Sequence, residues 1–200
     1  MILINMWICY RNSPHFLQLV HCHENHSVPG PGDIGGKETH MIRLELIVSG
    51  GQTGADRAAL DLAIELGIPH GGWVPKGRKT EEGPLPAKYR LEEMPTGSYP
   101  KRTEQNVMDS DGTLIISHGE LKEGSEYTRK MAVKHGKPWI HIDADEQSIE
   151  AAVEMIRTWL SGNDVERLNV AGPPASKDPQ IYEATKRVLK EVMLSSYEDS

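Results

Sequence analysis

Cysteine and aromatic residues are both scarce in this sequence, which contains two cysteines and 6% Phe, Trp and Tyr among its 200 residues. Two cysteines cannot form the disulfide framework of a small secreted protein, so we expect a reducing, cytoplasmic setting. No apolar run approaches the ~20 residues of a membrane-spanning helix, which argues against a membrane partner. Positive charge is also in deficit. The net charge of −7 argues against non-specific binding to nucleic acid.

The first forty residues differ in composition from the rest of the chain. They contain both cysteines and five of the nine histidines, and they end in a Pro- and Gly-rich run over 29–36. This composition predicts a disordered leader over 1–40, which makes Met41 a candidate for the start of the native protein. His21-Cys22-His23 with His26 offers ligands that suit zinc or copper. The cluster matches no established ligand spacing, however, and we predict no metal site.

Strand-like and helix-like patterns alternate from Ile42 onward. The predicted strands are 44–48, 71–74, 112–117, 138–142 and 168–171, with an edge strand at 90–94, and the predicted helices are 55–66, 102–108, 124–135, 148–160 and a last helix that begins near 179. Ser125 is the expected N-cap of the third helix. Alternating strands and helices need crossover connections, so the sequence predicts a Rossmann-like, three-layer, doubly wound α/β domain with a mostly parallel sheet over 41–194. We expect residues 195–200 to be a frayed tail.

The most distinctive segment is Leu44–Asp56, in which an apolar run meets a glycine-rich turn and then a helix-like run. Glycines let the backbone approach a ligand, and the unpaired N–H groups at a helix N-terminus favour an anion. The turn, Ser49–Gly54, fits neither the dinucleotide-binding spacing nor the P-loop, because no lysine follows Gly54. The pattern indicates an anion-binding turn of another kind. A plain tight turn without a ligand is the alternative.

Two further loops of similar character follow predicted strands, at 117–124 and 172–176. Ligands of open parallel sheets bind outside the carboxyl ends of the strands, so we expect the three loops to line one site. The segment 72–102 contains seven Lys and Arg against four Glu, a net of +3 in a chain of −7. Such a basic, turn-rich segment is typical of a lid over an anionic ligand, or of a solvated loop that balances an acidic body.

Polar residues at the start of the predicted helix 102–108 are further candidates. Arg102, Thr103 and Glu104 place a cation, a hydroxyl and a carboxylate there, although helix capping and surface charge would explain the same pattern. Asp56, in the first turn of the first helix, can complement the helix dipole.

Sequence motifs of known catalytic sites are absent. The chain has no nucleophile elbow, HExxH, paired CxxC or Ser-His-Asp order. His118, His135 and His141 are isolated in the sequence, and we expect each to be structural or exposed. The sequence therefore favours a binding site over a reaction.

Five ordered motifs carry a resemblance to a known family. They are SGGQTGADRAALDLA (49–63), GGWVPKGRKTEEGPLPAKYRLEE (71–93), RTEQNV (102–107), SDGTLII (110–116) and LNVAGPPAS (168–176). Over about 41–194 the chain resembles molybdenum carrier proteins, a circularly permuted branch of the SLOG superfamily. Two positions depart from the family pattern. Arg57 stands where a small residue is usual, and Pro174 stands where an arginine is common, which removes one cation from the expected pocket.

The resemblance implies a Rossmann-like fold related to the lysine decarboxylase-like and Lonely Guy proteins. It also implies a phosphorylated small molecule as ligand, with molybdenum cofactor (molybdopterin) as candidate cargo. Carried over to this chain, the glycines and Thr53 of the turn would contact a phosphate or oxyanion, and Arg78, Arg102 and Glu104 would line the pocket. The full candidate set is Gly50, Gly51, Gln52, Thr53, Gly54, Asp56, Lys76, Arg78, Arg102, Thr103, Glu104 and Gly172.

Two functions stay open on this basis. The first is a carrier of a phosphorylated ligand. The second is a nucleotide-processing enzyme similar to the superfamily's phosphoribohydrolases, with Glu104 as the acidic group and Arg102 as the phosphate clamp, or a sensor of a nucleotide-derived ligand. The chain lacks the PGGxGTxxE signature of those hydrolases, since position 58 is Ala, so we prefer the carrier. Self-association is common among parallel-sheet relatives, and a homo-oligomer stays open.

Overall fold

The computed structural model describes residues 44–194, and the strands of its main sheet alternate with helices as predicted. In chain order the elements are β1 (Leu46–Val48), α1 (Ala55–Leu66), β2 (His70–Gly71), β3 (Trp73–Val74), β4 (Lys79–Thr80), β5 (Gly83–Pro84), β6 (Glu92–Glu93), α2 (Tyr99–Met108), β7 (Gly112–Ser117), α3 (Glu123–Lys134), β8 (Trp139–Asp143), α4 (Ile149–Gly162), β9 (Arg167–Ala171) and α5 (Ile181–Leu194). Strands β2, β1, β9, β7 and β8 lie in that order in one five-stranded sheet. All pairings in this sheet are parallel, which confirms the predicted α/β fold.

The centre of the sheet is buried on both faces. All six residues of β7 are buried, as are the three central residues of β9. Helices α1 and α4 pack against α5, while α2 packs against α3. A buried parallel sheet with two helix groups is the three-layer arrangement that the sequence predicts. The main apolar core includes Ile47, Ala59, Leu62, Leu114, Ile116, Ile142, Ile156, Leu168, Val170, Ile181 and Leu189.

Helix α2 begins earlier than the sequence predicts. Ser98 is its N-cap, with the Ser98 Oγ accepting from the Lys101 N–H at 3.4 Å, and Pro100 lies in the first turn. A serine cap followed by proline is a favourable start, so the predicted start at Arg102 is wrong. The polar run from Arg102 to Asn106 therefore lies inside the helix and not at its N-terminus.

Helix α3 also begins earlier, at Glu123, and Lys122 takes the N-cap position without a side-chain cap. Ser125 lies in the first turn, where its N–H donates to the Lys122 carbonyl at 3.0 Å, so the prediction of Ser125 as N-cap is wrong. The acidic first-turn residues Glu123 and Glu126 complement the helix dipole, and they favour this start without a hydroxyl cap.

The segment predicted as one strand over 71–74 is split between two sheets. β2 joins the main sheet beside β1, whereas β3 pairs with β6 in a separate two-stranded sheet. Gly72, between them, has a φ of 116°, and a Cβ there would overlap the Ser49 carbonyl oxygen. Because the chain turns at this glycine, the strand predicted at 90–94 pairs as β6 with β3 and is not an edge of the main sheet.

The predicted leader over 1–40, with its His21–His26 cluster, and the predicted frayed tail over 195–200 lie outside the described residues. Within 44–194, no helix combines the length and the apolar character that a membrane crossing requires. In the same range, no group of three or more His, Cys, Asp and Glu side chains is placed to hold a metal ion.

Candidate functional site

Three loops at the carboxyl edge of the sheet contact one another. We call them the glycine loop (49–54), the β7 loop (117–122) and the β9 loop (172–180). The Ala175 N–H of the β9 loop donates to Thr53 Oγ1 of the glycine loop at 3.0 Å. On its other side the β9 loop meets the β7 loop, where His118 Nδ1 and Asp178 Oδ2 are 2.7 Å apart. The structure thus brings together the three loops that the sequence places at one site.

The glycines at the start of the glycine loop make room for protein side chains. A Cβ at Gly50 would overlap Nη1 of Arg102. Gly51 has a φ of 71°, and a Cβ there would lie 2.6 Å from Cδ2 of Leu85. The sequence attributes these glycines to the approach of a ligand, whereas in the structure Arg102 and Leu85 fill the space beside them.

Gly54 and Gly172 allow the β9 loop to pack closely against the glycine loop and against strand β7. A Cβ at Gly54 would overlap the Pro173 carbonyl oxygen and lie 2.9 Å from the Ala175 nitrogen. A Cβ at Gly172 would overlap the Ile116 carbonyl oxygen. Gly54 therefore sets how closely the glycine loop and the β9 loop meet, and Gly172 sets how closely the β9 loop approaches β7.

Two N–H groups of the glycine loop have partners within the chain. The Gln52 N–H donates to Asp56 Oδ2 at 3.2 Å, and the Thr53 N–H donates to Gln52 Oε1 at 3.0 Å. Asp56 lies in the first turn of α1, as expected for a residue that complements the helix dipole. Its carboxylate is turned onto the loop, so part of the predicted anion position is filled by the chain itself.

Asp56 and Arg102 form a buried ion pair, with Oδ2 and Nη1 3.2 Å apart and side-chain exposures of 6% and 11%. Burial raises the pKa of Asp56, and this effect outweighs Arg102, the Gln52 N–H and Arg57, which all lower it. Arg102 Nε has no hydrogen-bond partner in the described part of the chain. The cation that the sequence assigns to a phosphate is therefore held at the glycine loop by a carboxylate.

Arg78 holds the basic segment 72–102 together. Its guanidinium donates to four main-chain carbonyls, those of Leu85 (2.9 Å), Leu91 (3.1 Å), Pro86 (3.2 Å) and Tyr89 (2.9 Å). The planar fork of five N–H groups is suited to several acceptors at once. Arg78 thus orders a segment that has little regular secondary structure.

We expect Arg78→Ala to lower the free energy of unfolding by about 2–4 kcal/mol, because several charge-assisted hydrogen bonds are lost together. Arg78→Lys keeps the charge but lacks the planar fork, so it should recover only part of the loss. Urea unfolding followed by tryptophan fluorescence measures both variants. Parental stability in Arg78→Ala would contradict this role.

Glu104 lies away from the three loops. Its Oε1 accepts from Lys134 Nζ at 2.6 Å and lies 2.8 Å from His135 Nε2, at the C-terminal end of α3. Because α3 leads from the carboxyl end of β7 to the amino end of β8, this contact is at the opposite end of the helix from the β7 loop.

Thr103 and Lys76 have different surroundings. Thr103 lines, with Gly50 and Asp56, a cavity of about 10 Å³, which is too small for a ligand larger than water. Lys76 is exposed. The structure thus groups Thr103 with the glycine loop and the Asp56–Arg102 pair, and it places neither Arg78 nor Glu104 in that group.

A cavity of about 650 Å³ opens between the β7 loop and the β9 loop. Strands β7 and β9 are neighbours in the sheet, but the helices that follow them, α3 and α5, pack in different helix groups. Open α/β sheets bind ligands at such a switch point, and the volume is typical of small-molecule sites. The walls of this switch-point cavity include Ser117, His118, Lys122, Gly124, Ser125, Gly172, Pro173, Pro174, Lys177 and Asp178.

The N-terminus of α3 forms one wall of the switch-point cavity. Its N-cap residue, Lys122, makes no side-chain cap, and the partial positive charge of the first N–H groups favours an anion. Lys122 and Lys177 add positive charge to the walls, while Glu120, Glu123 and Asp178 add negative charge. The arrangement suits a ligand with an anionic group at the helix end and hydrogen-bonding groups elsewhere.

A second cavity, of about 680 Å³, lies beside α4 and α5. Its walls are mostly helix side chains, among them Lys186, Arg187 and Lys190, and it shares only His118 with the switch-point cavity. None of its walls comes from the glycine loop or the β9 loop. It is therefore not the site that the three loops form.

Sequence reasoning missed the pairing of His118 with Asp178, because the two residues are 60 positions apart. It also missed His141, whose Nε2 lies 2.8 Å from Ser117 Oγ. Burial lowers the pKa of His141, and the Asp143 charge opposes this effect. The sequence contains one indication that His118 belongs to the site. His118 directly follows a predicted strand, and ligands of parallel sheets bind at the carboxyl ends of the strands.

Comparison with known proteins places the chain in a family. Residues 47–193 match the Circularly permutated YpsA SLOG family. A Syntrophus aciditrophicus structure named "Putative molybdenum carrier protein" is 58% identical, with a TM-score of 0.74, over 76% of this chain and 95% of that one. An (E)-4-hydroxy-3-methyl-but-2-enyl diphosphate reductase matches at 12% identity and a TM-score of 0.32, over 74% of this chain and 59% of that one, and this likeness supports no inference. None of the curated proteins compared with the chain matches it. The chain belongs to the circularly permutated YpsA SLOG family.

Proposed function

We propose that this chain is a cytoplasmic carrier that holds a phosphorylated small molecule in the switch-point cavity, with molybdenum cofactor as its cargo. The observation that carries the proposal is a cavity of about 650 Å³ at the switch point of the sheet, against the uncapped N-terminus of α3. The first turn of α3 and Lys122 would hold the phosphate, because N–H groups at a helix N-terminus favour an anion.

Two further observations support a molybdenum-containing cargo. The Syntrophus aciditrophicus relative, 58% identical, is named as a molybdenum carrier. The cavity walls combine the apolar faces of Pro173 and Pro174 with the hydroxyls of Ser117 and Ser125. Apolar faces with a few polar groups suit a flat heterocycle such as a pterin.

The geometry gives less support to a nucleotide-cleaving enzyme. Glu104, which would be the acidic group, pairs with Lys134 and His135 at the far end of α3. Arg102, which would be the phosphate clamp, pairs with Asp56. Neither residue lines the switch-point cavity.

The substitution Gly124→Trp tests the cavity directly. Gly124 lines the cavity, and a Cβ there meets no atom of residues 44–194 within 4 Å. We expect the variant to fold like the parent and to lose cargo by about tenfold or more, because the indole occupies ligand space. Gly162→Trp is the matched control, since Gly162 in α4 is equally open and does not line the cavity.

Native mass spectrometry with elemental analysis measures the cargo on protein purified gently from cells that make the cofactor. Molybdenum and a pterin mass in the parent and Gly162→Trp, but not in Gly124→Trp, would support the proposal. A nucleotide in place of the pterin would contradict the proposal that molybdenum cofactor is the cargo. Equal loading of both variants would overturn the site.

A further inference from the structure

The turn between β4 and β5 places Glu81 directly on the glycine loop and the β9 loop. Glu81 Oε1 accepts from the Thr53 hydroxyl and from the Ser176 N–H, the latter at 3.2 Å. Glu81 Oε2 accepts from the Ser176 hydroxyl at 2.5 Å. The Glu81 N–H in turn donates to Gln52 Oε1 at 3.0 Å. One carboxylate therefore bridges two of the three loops, and its own backbone is held by the glycine loop.

The groups that donate to this carboxylate are all neutral. Burial raises the pKa of Glu81, but the hydrogen bonds from Ser176 and Thr53 outweigh it and hold the pKa below its usual value. Hydroxyl and main-chain N–H groups that converge on anionic oxygens are the donors that proteins use for oxyanions. The geometry around Glu81 is thus that of an anion site with a carboxylate in it.

Positive charge also lies at the glycine loop, on Arg57. Arg57 Nη2 donates to the Gly51 carbonyl at 3.4 Å, and Arg57 Nη1 is 3.8 Å from Glu82 Oε2. The Arg57 side chain is 14% exposed, and its Nε has no hydrogen-bond partner within residues 44–194. Arg57 therefore adds a largely buried positive charge on the Gly51 side of the glycine loop.

We propose that Thr53 and Ser176 form an oxyanion subsite, which the Glu81 carboxylate fills in this structure and from which a tetrahedral oxyanion of the ligand displaces it. The subsite lies next to the switch-point cavity along the β9 loop, because Pro174, two positions before Ser176, and Lys177, directly after it, both line that cavity. The inference rests on the proposed function and extends it. The ligand has two anionic groups, one at the N-terminus of α3 and a second, phosphoryl or oxometalate, at the Thr53–Ser176 subsite.

Glu81 is then a competitor that is tethered to its own site. A ligand binds only those molecules in which the subsite is free. Its apparent affinity therefore equals the intrinsic affinity multiplied by the free fraction. We expect Glu81→Ala to bind inorganic phosphate or molybdate about tenfold or more tightly than the parent does, in calorimetric titrations at one fixed pH. Adding Ser176→Ala to Glu81→Ala should clearly reduce the gain, because it removes the Ser176 hydroxyl, one of the three donors of the subsite.

Glu82→Ala is the matched control. It removes the same charge from the same turn, and the Glu82 side chain is 66% exposed, with Arg57 as its ion-pair partner among residues 44–194. Its affinity for either anion should stay close to the parental value. Equal affinities of Glu81→Ala and Glu82→Ala would overturn the subsite, as would a gain that Ser176→Ala leaves undiminished.

The two anions distinguish the chemistry of the second group. A gain for phosphate supports a phosphoryl group, and a larger gain for molybdate supports an oxometalate. These titrations are independent of the cargo measurement on Gly124→Trp. If Gly124→Trp loses cargo while Glu81→Ala gains no affinity, the result supports the carrier function and contradicts the subsite. If Glu81→Ala gains affinity while Gly124→Trp keeps its cargo, the result supports the subsite and contradicts the proposed function.

Discussion

Arg102→Ala is expected to lower the free energy of unfolding by about 3–5 kcal/mol, because removing one partner leaves the other charge buried and uncompensated. The group left behind is the Asp56 carboxylate, which is 5% exposed. Arg57 is then the remaining cation that favours its charged form. Urea unfolding at neutral pH measures the loss.

The loss in Arg102→Ala should depend on pH in a defined direction. Burial raises the pKa of Asp56 above its usual value. Between the unfolded and folded pKa values the native state binds more protons than the unfolded state, so stability falls as the pH rises. Arg102 lowers the pKa of Asp56, so its removal raises this pKa further. The pH range over which stability falls then extends to higher pH. The difference from the parent should therefore be smaller at about pH 5 than at about pH 8.

A double variant separates the buried charge from the loss of packing. Arg102→Met with Asp56→Asn removes both charges and keeps most of the side-chain volume. Replacement of a buried ion pair by groups of similar size is often close to neutral, so this variant should be clearly more stable than Arg102→Ala. If the double variant is as unstable as the single one, the ion pair is not the cause.

Gly54→Ala is expected to destabilise the protein by about 2–6 kcal/mol, since backbone strain and overpacking each contribute about 1–3 kcal/mol. Gly54 has a φ of 73° and a ψ of −131°, a combination that side chains disfavour strongly. The new Cβ would also overlap the Pro173 carbonyl oxygen and push the β9 loop away from the glycine loop. Thermal unfolding by circular dichroism measures the loss.

Gly67→Ala is the matched control for Gly54→Ala. Gly67 has a φ of 70° but a ψ of 19°, which is the left-handed helical region, and a Cβ there meets nothing within 4 Å. The substitution should cost only about 1–2 kcal/mol of backbone strain. Equal losses in the two variants would show that the contact between the glycine loop and the β9 loop adds nothing.

Much of the fold could be predicted because burial leaves a local periodicity in the sequence. Helix α1 has the predicted bounds, and the predicted strand over 112–117 is β7. The order of strands could not be predicted in this way, because Ile47 of β1 pairs with Leu168 of β9, far along the chain. The meeting of the three loops was predictable, since parallel strands bring their carboxyl ends to one edge.

The cations of the candidate site were harder to assign than its position. Arg78 and Arg102 suggest an anionic ligand in the sequence, yet Arg78 donates to main-chain carbonyls and Arg102 pairs with Asp56. A single sequence shows that a guanidinium is present but not which acceptor it meets in the fold. The same holds for Glu81, whose partner Ser176 lies 95 positions away.

Strand β9 joins two halves of the sheet that form at different times. β1 can pair with β2, and β7 with β8, once the helix between them has formed, whereas β9 inserts between β1 and β7 and is the last strand of the described chain. During synthesis both halves keep an unpaired inner edge until residues 167–171 emerge from the ribosome. Long-range pairing of this kind is slow, so the insertion of β9 is the expected rate-limiting event. Because the β9 loop follows directly, the three loops of the candidate site come together only in that final step.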